Sequence, residues 1–458
     1  MKKIDIAVVG AGTAGINARV AAKRAGVSAL MFDPGPLGTT CARVGCMPSK
    51  LLIAAAEHVH SAHRAAEFGI KIGDISIDGK AVMARVQGMR DGFVNHTLKG
   101  LERASAEGAL LRSRVELKSE KFFEAGGVQY EAKAMVIATG SRPWIPPPYR
   151  GLGSHLLTTD EIFELDTLPK SLLVVGAGVI GIELALAFAR LGVRVTVVEL
   201  GGKLVGISDP LVREHAYTIF SQDLDLNTRH EFGSVTVEDD QVRLHFVDDE
   251  GKSRDEKFDY VLAATGRIPN IEGLGLESLG LGTGTELTSQ INPATGQLGD
   301  TSIFFAGDNT GTLALLHEAV HEGRIAGENA ARYPEPAQAA IRLTPLGVVF
   351  SDPQVAMVGP AFDQLPGDLV IGDVDFSAQS RAKVLGRAEG RMRLYASAGD
   401  GKLLGATIFA PDAEYLGHLL AWSIGAGMTA EQALAQPFYH PTLVESIQTA
   451  LRQILKKL

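Results

Sequence analysis

The chain contains only two cysteines, Cys41 and Cys46, and they lie five positions apart. One pair in 458 residues excludes a framework of structural disulfides and is typical of a reducing compartment, where thiols are catalytic or bind metals. Because the pair follows a glycine-rich segment, we interpret it as a disulfide that electrons from a bound cofactor open and close. Half of a zinc site is the alternative, but the 12 histidines form no companion cluster at ligand spacing.

The spacing of the cysteines constrains the backbone between them. Residues i and i+5 of a regular helix lie about 7.5 Å apart along the axis and point to different faces. A disulfide requires Cα atoms closer than about 7 Å. We therefore expect Gly45 and the start of the following helix to bend the chain. Strained or exposed disulfides are the more easily reduced ones, which suits a catalytic pair.

His440, near the C-terminus, is the candidate base for this pair. Imidazole commonly titrates near neutral pH, and thiolate rather than thiol is the reactive species. Glu445 lies about one turn further on and could orient the imidazole, as in a nucleophile–base–orienter triad. Pro441 is placed to open a helix. Apolar residues at helical spacing would form the buried stripe of that helix: Leu443, Ile447, Leu451 and Ile454.

A glycine pattern near the N-terminus predicts an element that could hold the cofactor. The strand-like run 4–9 leads into Gly10, Gly12 and Gly15, followed by a helical segment to 26 and a strand 28–32 ending at Asp33. The first glycine permits a tight turn, the second lets backbone amides approach a pyrophosphate, and the third allows close helix–strand packing. The acid is placed to bind ribose hydroxyls.

The same pattern recurs in the middle of the chain. The run 172–175 leads into Gly176, Gly178 and Gly181, a helix to 191 and a strand 193–198 ending at Glu199. First glycine and acid are 23 positions apart in both copies, from 10 to 33 and from 176 to 199. Two buried-looking strands that end in Thr-Gly, at 139–140 and 265–266, also repeat. The duplication predicts two dinucleotides. Glu199 favours NAD, since a carboxylate would repel a 2′-phosphate.

Composition excludes several classes of protein. A net charge of −9 and a pI near 5.8 argue against nucleic-acid binding. The apolar segment 172–189 is long enough to cross a membrane, but Glu183 lies at its middle and glycines interrupt it. The N-terminus resembles a signal peptide only faintly, because Asp5 interrupts its apolar stretch. We expect a cytoplasmic protein without membrane insertion.

Together these motifs resemble the class I pyridine nucleotide–disulfide oxidoreductases, and among them the dihydrolipoamide dehydrogenases. The similarity runs nearly end to end and includes the segments 38–50, 265–270, 305–308 and 440–445. It implies an α/β fold with two Rossmann-like dinucleotide-binding domains and a C-terminal α+β dimerisation domain. The expected boundaries are 1–148 and 271–340 for the two parts of the FAD domain, 149–270 for the NAD domain and 341–458 for the dimerisation domain.

The resemblance also implies FAD in the first fold and NAD in the second, with no metal. The expected FAD contacts are Gly10, Gly12, Gly15, Asp33, Lys50, Val115, Gly140, Asp308 and Leu316. The expected NAD contacts are Gly176, Gly178, Ile180, Gly181, Glu183, Glu199 and Gly266. Lys50 would pair with Glu183 close to the flavin and the nicotinamide.

By the same resemblance, Cys46 faces the flavin and Cys41 faces the substrate. His440 and Glu445 would act on Cys41 of the other subunit, so the active form would be a homodimer. The implied reaction transfers electrons from dihydrolipoamide to NAD, in the service of a lipoyl-bearing carrier protein or a 2-oxo acid dehydrogenase complex. An NAD(P)H-dependent reductase of another small disulfide or a metalloid remains open, as does a non-catalytic redox-sensing flavoprotein.

Three departures from the family pattern concern the thiol site. Gly38-Thr39-Thr40 stands where the family usually has Gly-Gly-Thr, and Arg43 replaces a small or polar residue between the cysteines. Phe438 stands where dihydrolipoamide dehydrogenases commonly carry a second histidine. The electron path stays complete, but the last two changes leave the substrate open.

Overall fold

A computed structural model describes residues 1–282 and 284–458, which form two units. Unit 1 comprises Met1–Pro48, Gln87–Trp144 and Arg267–Arg342. Unit 2 comprises Ser49–Val86, Ile145–Gly266 and Leu343–Leu458. The predicted domain boundaries divide the chain more finely and stay predictions.

Both units combine strands with helices. The strands are β1 (Lys2–Val9), β2 (Ala29–Phe32), β3 (Leu110–Leu111), β4 (Val115–Leu117), β5 (Phe122–Ala125), β6 (Val128–Ile137), β7 (Ser141–Pro143), β8 (Leu156–Leu157), β9 (Ser171–Val175), β10 (Arg194–Val198), β11 (Asp225–Asn227), β12 (Glu231–Glu238), β13 (Gln241–Val247), β14 (Ser253–Phe258), β15 (Tyr260–Ala263), β16 (Arg267–Pro269), β17 (Ile303–Phe305), β18 (Leu346–Val349), β19 (Gln354–Val358), β20 (Leu369–Asp375), β21 (Arg391–Ser397) and β22 (Leu403–Ala410). The α-helices are α1 (Thr13–Arg24), α2 (Thr40–Val44), α3 (Cys46–Arg64), α4 (Gly79–Ala106), α5 (Val179–Arg190), α6 (Pro210–Asp223), α7 (Gly284–Thr288), α8 (Leu316–Arg332), α9 (Ser380–Val384), α10 (Ala413–Gly425), α11 (Ala430–Leu434) and α12 (Glu445–Leu455).

Unit 1 is built on one sheet with the order β3-β2-β1-β6-β5-β4, and β17 also pairs with β6. The strands β3, β2, β1, β6 and β17 run parallel, as expected for a nucleotide-binding fold. Helices α1 and α8 pack closely because α8 carries glycines at the contact. A Cβ at Gly323 would lie 2.3 Å from the Ala14 carbonyl oxygen, and one at Gly327 would lie 2.3 Å from that of Ala18.

Unit 2 contains a second parallel sheet, with the order β11-β10-β9-β15-β8. A three-stranded antiparallel sheet, β12-β13-β14, follows β11 along the chain. The C-terminal part is an antiparallel sheet, β18-β19-β22-β21-β20, and its apolar core includes residues of α10 and α12. The predicted α/β fold with two Rossmann-like regions and an α+β C-terminal region is confirmed.

The C-terminal helix begins later than predicted. Pro441 was expected to open it, but α12 starts at Glu445. The reason is that the residues before the helix form a tighter turn with i→i+3 bonds: the Ser446 N–H donates to the Leu443 carbonyl oxygen at 3.0 Å and the Ile447 N–H to that of Val444 at 2.9 Å. The predicted apolar stripe is buried, although its first member precedes the helix: Leu443, Ile447, Leu451 and Ile454. Among the described residues, no helix is long and apolar enough to cross a membrane.

Candidate active site

The two cysteines belong to unit 1 and lie on either side of a break between the helices α2 and α3. Cys41 lies in α2 and is half-buried, whereas Cys46 is the first residue of α3 and is exposed. Gly45 separates the helices with φ −125° and ψ −117°. A Cβ at this position would lie 3.1 Å from the Thr40 carbonyl oxygen and 3.2 Å from the Cys41 Cα. The expected bend at Gly45 is therefore present, and a side chain there would crowd the backbone of Thr40 and Cys41.

The segment before Cys41 shows how the chain accommodates its departure from the family pattern. Thr39 has φ 63°, a left-handed conformation that is unusual for a β-branched residue. Its hydroxyl accepts a hydrogen bond from the Ala42 N–H at 3.3 Å and so caps α2. A Cβ at Gly38 would lie 3.3 Å from Arg43 Cδ, so the stem of Arg43 packs beside this glycine. Arg43 thus introduces a positive charge into the chain between the cysteines.

The first glycine motif forms the tight turn that the sequence predicts. Gly10 has φ 108°, and a Cβ there would lie 2.2 Å from the Ala138 carbonyl oxygen. A Cβ at Gly15 would lie 2.0 Å from the Gly10 carbonyl oxygen, whereas one at Gly12 would meet nothing within 4 Å. Gly10 and Gly15 are therefore required by the fold itself. The open space at Gly12 suits the close approach of a pyrophosphate to the backbone.

Asp33 ties the end of β2 to this turn. One carboxylate oxygen accepts the Ala11 N–H at 2.7 Å, and the other accepts the Gly35 N–H at 2.7 Å. These bonds fix the orientation of the carboxylate. Each oxygen retains a lone pair for a ribose hydroxyl, so the predicted role of Asp33 fits its geometry.

A second turn of unit 1 presents Asp308. Its carboxylate accepts a hydrogen bond from the Ser141 hydroxyl at 2.7 Å, and that hydroxyl accepts one from Arg267 Nε at 2.8 Å. The next residue, Asn309, is fully buried and donates to the Ile137 carbonyl oxygen at 2.9 Å. Its Oδ1 has no hydrogen-bond partner among the described residues. A buried, unsatisfied acceptor beside Asp308 fits a site that a polar cofactor completes.

The other predicted FAD contacts are distributed along the chain. Gly140 follows β6 with φ 67°, and Leu316 begins α8 and is exposed. Val115 begins β4 and is buried in the core of unit 1, so only its backbone could meet a ligand. The glycine cradle, Asp33 and the Asp308 turn together fit FAD, and their individual contacts stay predictions.

The second glycine motif in unit 2 repeats the first. Gly176 has φ 106°, and a Cβ there would lie 2.5 Å from the Ala264 carbonyl oxygen. A Cβ at Gly181 would lie 1.9 Å from the Gly176 carbonyl oxygen, whereas one at Gly178 would meet only a single atom, at 3.9 Å. Glu199 follows β10 and accepts the Ala177 N–H at 3.3 Å and the Gly201 N–H at 3.0 Å. The cradle for a second dinucleotide is therefore present.

Two more predicted NAD contacts flank this cradle. Ile180 lies in the first turn of α5 and is half-buried. Gly266 follows β15 with φ 112°, and a Cβ there would meet nothing within 4 Å. The space beside Gly266 is therefore open, and the roles of both residues stay predictions.

Lys50 and Glu183 form the predicted ion pair within unit 2. Lys50 Nζ lies 2.7 Å from Glu183 Oε2. Only 3% of the Glu183 side chain is exposed, against 32% for Lys50. The second oxygen of Glu183 accepts the Phe350 N–H at 2.8 Å, and Lys50 Nζ lies 4.6 Å from the centre of the Phe350 ring. Glu183 is thus a buried, fully bonded carboxylate rather than a solvated helix residue.

His440 and Glu445 also meet as predicted. His440 Nδ1 lies 2.9 Å from Glu445 Oε1, while Glu445 Oε2 accepts the Thr442 N–H. The Thr442 N–H and then the His440 imidazole lower the pKa of Glu445 below its usual value. The His440 side chain is 74% exposed. The imidazole is therefore oriented by its own chain and accessible to another molecule.

The C-terminal region that carries His440 also has exposed apolar residues. Tyr415, Leu419 and Trp422 recur at helical spacing on α10 and are all exposed. Tyr439, which precedes His440, is 82% exposed. Exposed apolar stripes of this kind are typical of surfaces that another chain covers.

Several residues of the site were not predicted from the sequence. Ser141 and Arg267 each follow one of the two Thr-Gly pairs, so the repeated motif was a signal for them. Phe350 and Glu322 had no such signal. Glu322 Oε2 accepts the N–H of Gly307 at 2.9 Å and so fixes the turn that carries Asp308. No group of three or more metal-ligating side chains occurs in the part of the chain that the structure describes.

Fold and site together define a flavin-dependent disulfide oxidoreductase. The defining features are two Rossmann-like folds and one pair of cysteines on either side of a break between two helices. Comparison with known proteins agrees. Residues 4–323 match the model of the pyridine nucleotide-disulphide oxidoreductase family, and residues 346–451 match its dimerisation domain. The chain therefore belongs to the pyridine nucleotide-disulphide oxidoreductases, which use FAD and NAD(H), and it forms a homodimer.

Related proteins cover nearly the whole chain. Dihydrolipoyl dehydrogenase of Geobacillus stearothermophilus is 33% identical over 96% of this chain and 93% of its own length. That of Bacillus subtilis is 30% identical over 98% of both. LpdA of Mycobacterium tuberculosis has a similar structure, with a TM-score of 0.83, 26% identity and coverage of 99% and 100%. The HOCl-induced flavoprotein disulfide reductase RclA of Escherichia coli, at 20% identity, a TM-score of 0.81 and coverage of 98% and 99%, shares the fold.

Proposed function

We propose that the protein oxidises dihydrolipoamide with NAD through the Cys41–Cys46 pair, with His440 of the partner subunit as the base. The observation that carries the proposal is the His440–Glu445 pair, an imidazole held at 2.9 Å from a carboxylate and 74% exposed. A redox sensor without turnover has no need of an oriented base. The names and coverage of the curated relatives support the same substrate.

The electron path begins as thiol–disulfide exchange. His440 takes the proton of one substrate thiol, and the thiolate attacks Cys41 Sγ. The Cys41–Cys46 bond breaks, and Cys46 leaves as a thiolate. The second substrate thiol then attacks the mixed disulfide, which releases Cys41 and a cyclic disulfide. The substrate has lost two electrons and two protons, and the cysteine pair has gained two electrons.

Bound FAD and NAD supply the two-electron and hydride chemistry that returns the pair to its disulfide form. The chain contributes the residues that would position the two cofactors. Gly10, Gly12, Asp33 and Asp308 would hold FAD, whereas Gly178 and Glu199 would hold NAD. Lys50 would contact FAD, with Glu183 balancing its charge.

The decisive experiment replaces Cys41 by Ser and measures NADH formation from dihydrolipoamide. We expect turnover to fall at least about a thousandfold while the protein stays yellow with bound FAD. Cys46→Ser is the matched variant and should fall equally. Substantial dithiol turnover by Cys41→Ser would contradict the relay.

Subunit mixing tests the shared site. Cys41→Ser and His440→Gln subunits are each expected to be inactive alone. In a one-to-one mixture, half of the dimers carry one intact site, so about a quarter of wild-type activity should return after subunit exchange. No recovery, despite exchange shown by differently tagged subunits, would mean that His440 acts within its own subunit.

Arg43 favours a second candidate function. A guanidinium between the cysteines would attract an anionic disulfide, and NADH would then drive its reduction. A panel of lipoamide, glutathione disulfide and coenzyme A disulfide, each with NADH and NADPH, separates the two. If an anionic disulfide exceeds lipoamide in kcat/KM and Arg43→Ala removes that advantage, the second function is the correct one.

A further inference from the structure

Phe350 contacts both members of the Lys50–Glu183 ion pair of unit 2. It directly follows β18, the first strand of the C-terminal sheet. Its backbone N–H donates to Glu183 Oε1 at 2.8 Å, and its ring lies 4.6 Å from Lys50 Nζ. Since Lys50 and Glu183 are themselves 2.7 Å apart, the three residues form a closed set of contacts.

The two contacts act on opposite charges. The amide dipole stabilises the Glu183 carboxylate, which has almost no access to water. The negative face of the aromatic ring attracts the Lys50 ammonium. An aliphatic side chain would fill the same volume without this attraction. Phe350 therefore restricts where the ammonium can lie as well as how the carboxylate points.

Two other charged residues near Glu183, Arg190 and Asp352, form ion pairs that do not include it. A small cavity of about 10 Å³ borders Glu183 and Phe350, and Glu57, Arg190 and Asp352 line it too. Arg190 pairs with Asp352 at 3.6 Å and with Asp223 at 2.9 Å. In the part of the chain that the structure describes, the Lys50 ammonium contacts Glu183 and the Phe350 ring.

We infer that Phe350 is a positioning residue for the redox reaction: its ring and its amide hold the Lys50–Glu183 pair so that the ammonium meets FAD. The inference rests on the proposed function, in which Lys50 contacts FAD. It gives the segment that opens the dimerisation domain a part in setting the flavin potential. A cation held near the flavin favours the addition of electrons, because reduction adds negative charge.

The test measures the reduction potential of the bound FAD in the holoenzyme, by equilibration with a reference dye. Phe350→Leu removes the ring but keeps the N–H that Glu183 accepts, and Phe350→Tyr keeps both. We expect Phe350→Leu to lower the ratio of reduced to oxidised flavin at a fixed potential about threefold or more. Phe350→Tyr should match the wild type.

A double-mutant cycle with Lys50→Met separates positioning from simple packing. If the ring acts through the ammonium, Phe350→Leu should have no further effect in the Lys50→Met protein. An equal effect in both backgrounds, or none in the wild-type background, would overturn the inference. Phe350→Met is a second ring-free variant, and the same outcomes apply to it if Phe350→Leu fails to fold.

Failure of the proposed function has a different signature. If Lys50→Met leaves the flavin potential unchanged, Lys50 does not act on FAD, and the role of Phe350 falls with it. If the ring effect appears but dihydrolipoamide is not a substrate, the role of Phe350 stands and only the proposed substrate is wrong.

Discussion

The two nucleotide-binding folds of this chain have nearly the same backbone turn and different side chains on the helix that follows. Gly10 and Gly176 have φ values of 108° and 106°, and the Cβ of an alanine would strike a carbonyl oxygen in both. Seven positions after these glycines, the first fold has Asn17 and the second has Glu183.

These equivalent positions are used differently. Asn17 is half-buried, and its side-chain amide donates to the Thr13 carbonyl oxygen of its own helix at 2.9 Å. Glu183 is buried and bonds to Lys50 and to the Phe350 N–H. Close packing requires glycine at the turn in both copies, because a side chain at Gly10 or Gly176 would strike a backbone oxygen. The chemistry of the two folds differs because this packing does not constrain the side chains on the following helix.

The largest effects should be equal in the two folds. Gly15→Ala and Gly181→Ala each place a Cβ about 2 Å from a backbone oxygen, so both should destabilise the protein by about 3 kcal/mol or more. Thermal unfolding at a fixed protein concentration measures this. Gly88→Ala, on exposed helix α4 with open space around its Cβ, is the control and should not destabilise. A large effect in only one fold would show that the turns are not equivalent.

The next variants should separate the two ligands. Gly12→Ala and Gly178→Ala meet little or nothing in the protein, so both should fold. Because a methyl group would occupy the space for a pyrophosphate, Gly12→Ala should weaken FAD binding about a hundredfold, and Gly178→Ala should raise KM for NAD similarly. Fluorescence titration of the apoprotein with FAD and steady-state kinetics measure these effects. If Gly178→Ala lost FAD instead, the assignment of the two folds would be reversed.

The helix position that distinguishes the folds should matter in one fold only. Glu183→Gln leaves Lys50 without its counter-ion while keeping the shape of the side chain. Since Lys50 is partly exposed, we expect a loss of about 1–2 kcal/mol in the free energy of unfolding. Asn17→Ala should cost under about 1 kcal/mol, because its bond lies within one helix. Equal costs in urea unfolding would contradict the comparison.

The smallest expected effect concerns coenzyme choice. Glu199→Ser removes the carboxylate that would repel a 2′-phosphate, so the preference for NADH over NADPH in kcat/KM should fall about tenfold. Asp33→Ser is the matched change in the first fold and should leave this ratio unaltered. A wild-type enzyme that already prefers NADPH would disprove the assignment of Glu199.

Sequence patterns predicted those parts of the site that are local in the chain. The close approaches at Gly15 and Gly181, the acids Asp33 and Glu199 and the bend at Gly45 each depend on neighbours within 22 positions. The start of α12 was missed because the residues after Pro441 first form a turn with i→i+3 bonds, such as that from the Ser446 N–H to the Leu443 carbonyl oxygen. Helix-start rules that consider proline alone do not capture such a turn.

By itself, the sequence determined the fold class, the two dinucleotide cradles and the single pair of thiols, because glycine geometry and cysteine number are readable without coordinates. Only the tertiary structure showed that Phe350 contacts the Lys50–Glu183 pair. The pair itself joins residues 133 positions apart, and the family resemblance rather than a local pattern predicted it. Such contacts arise from packing between elements that are distant in the chain, and no local pattern encodes them.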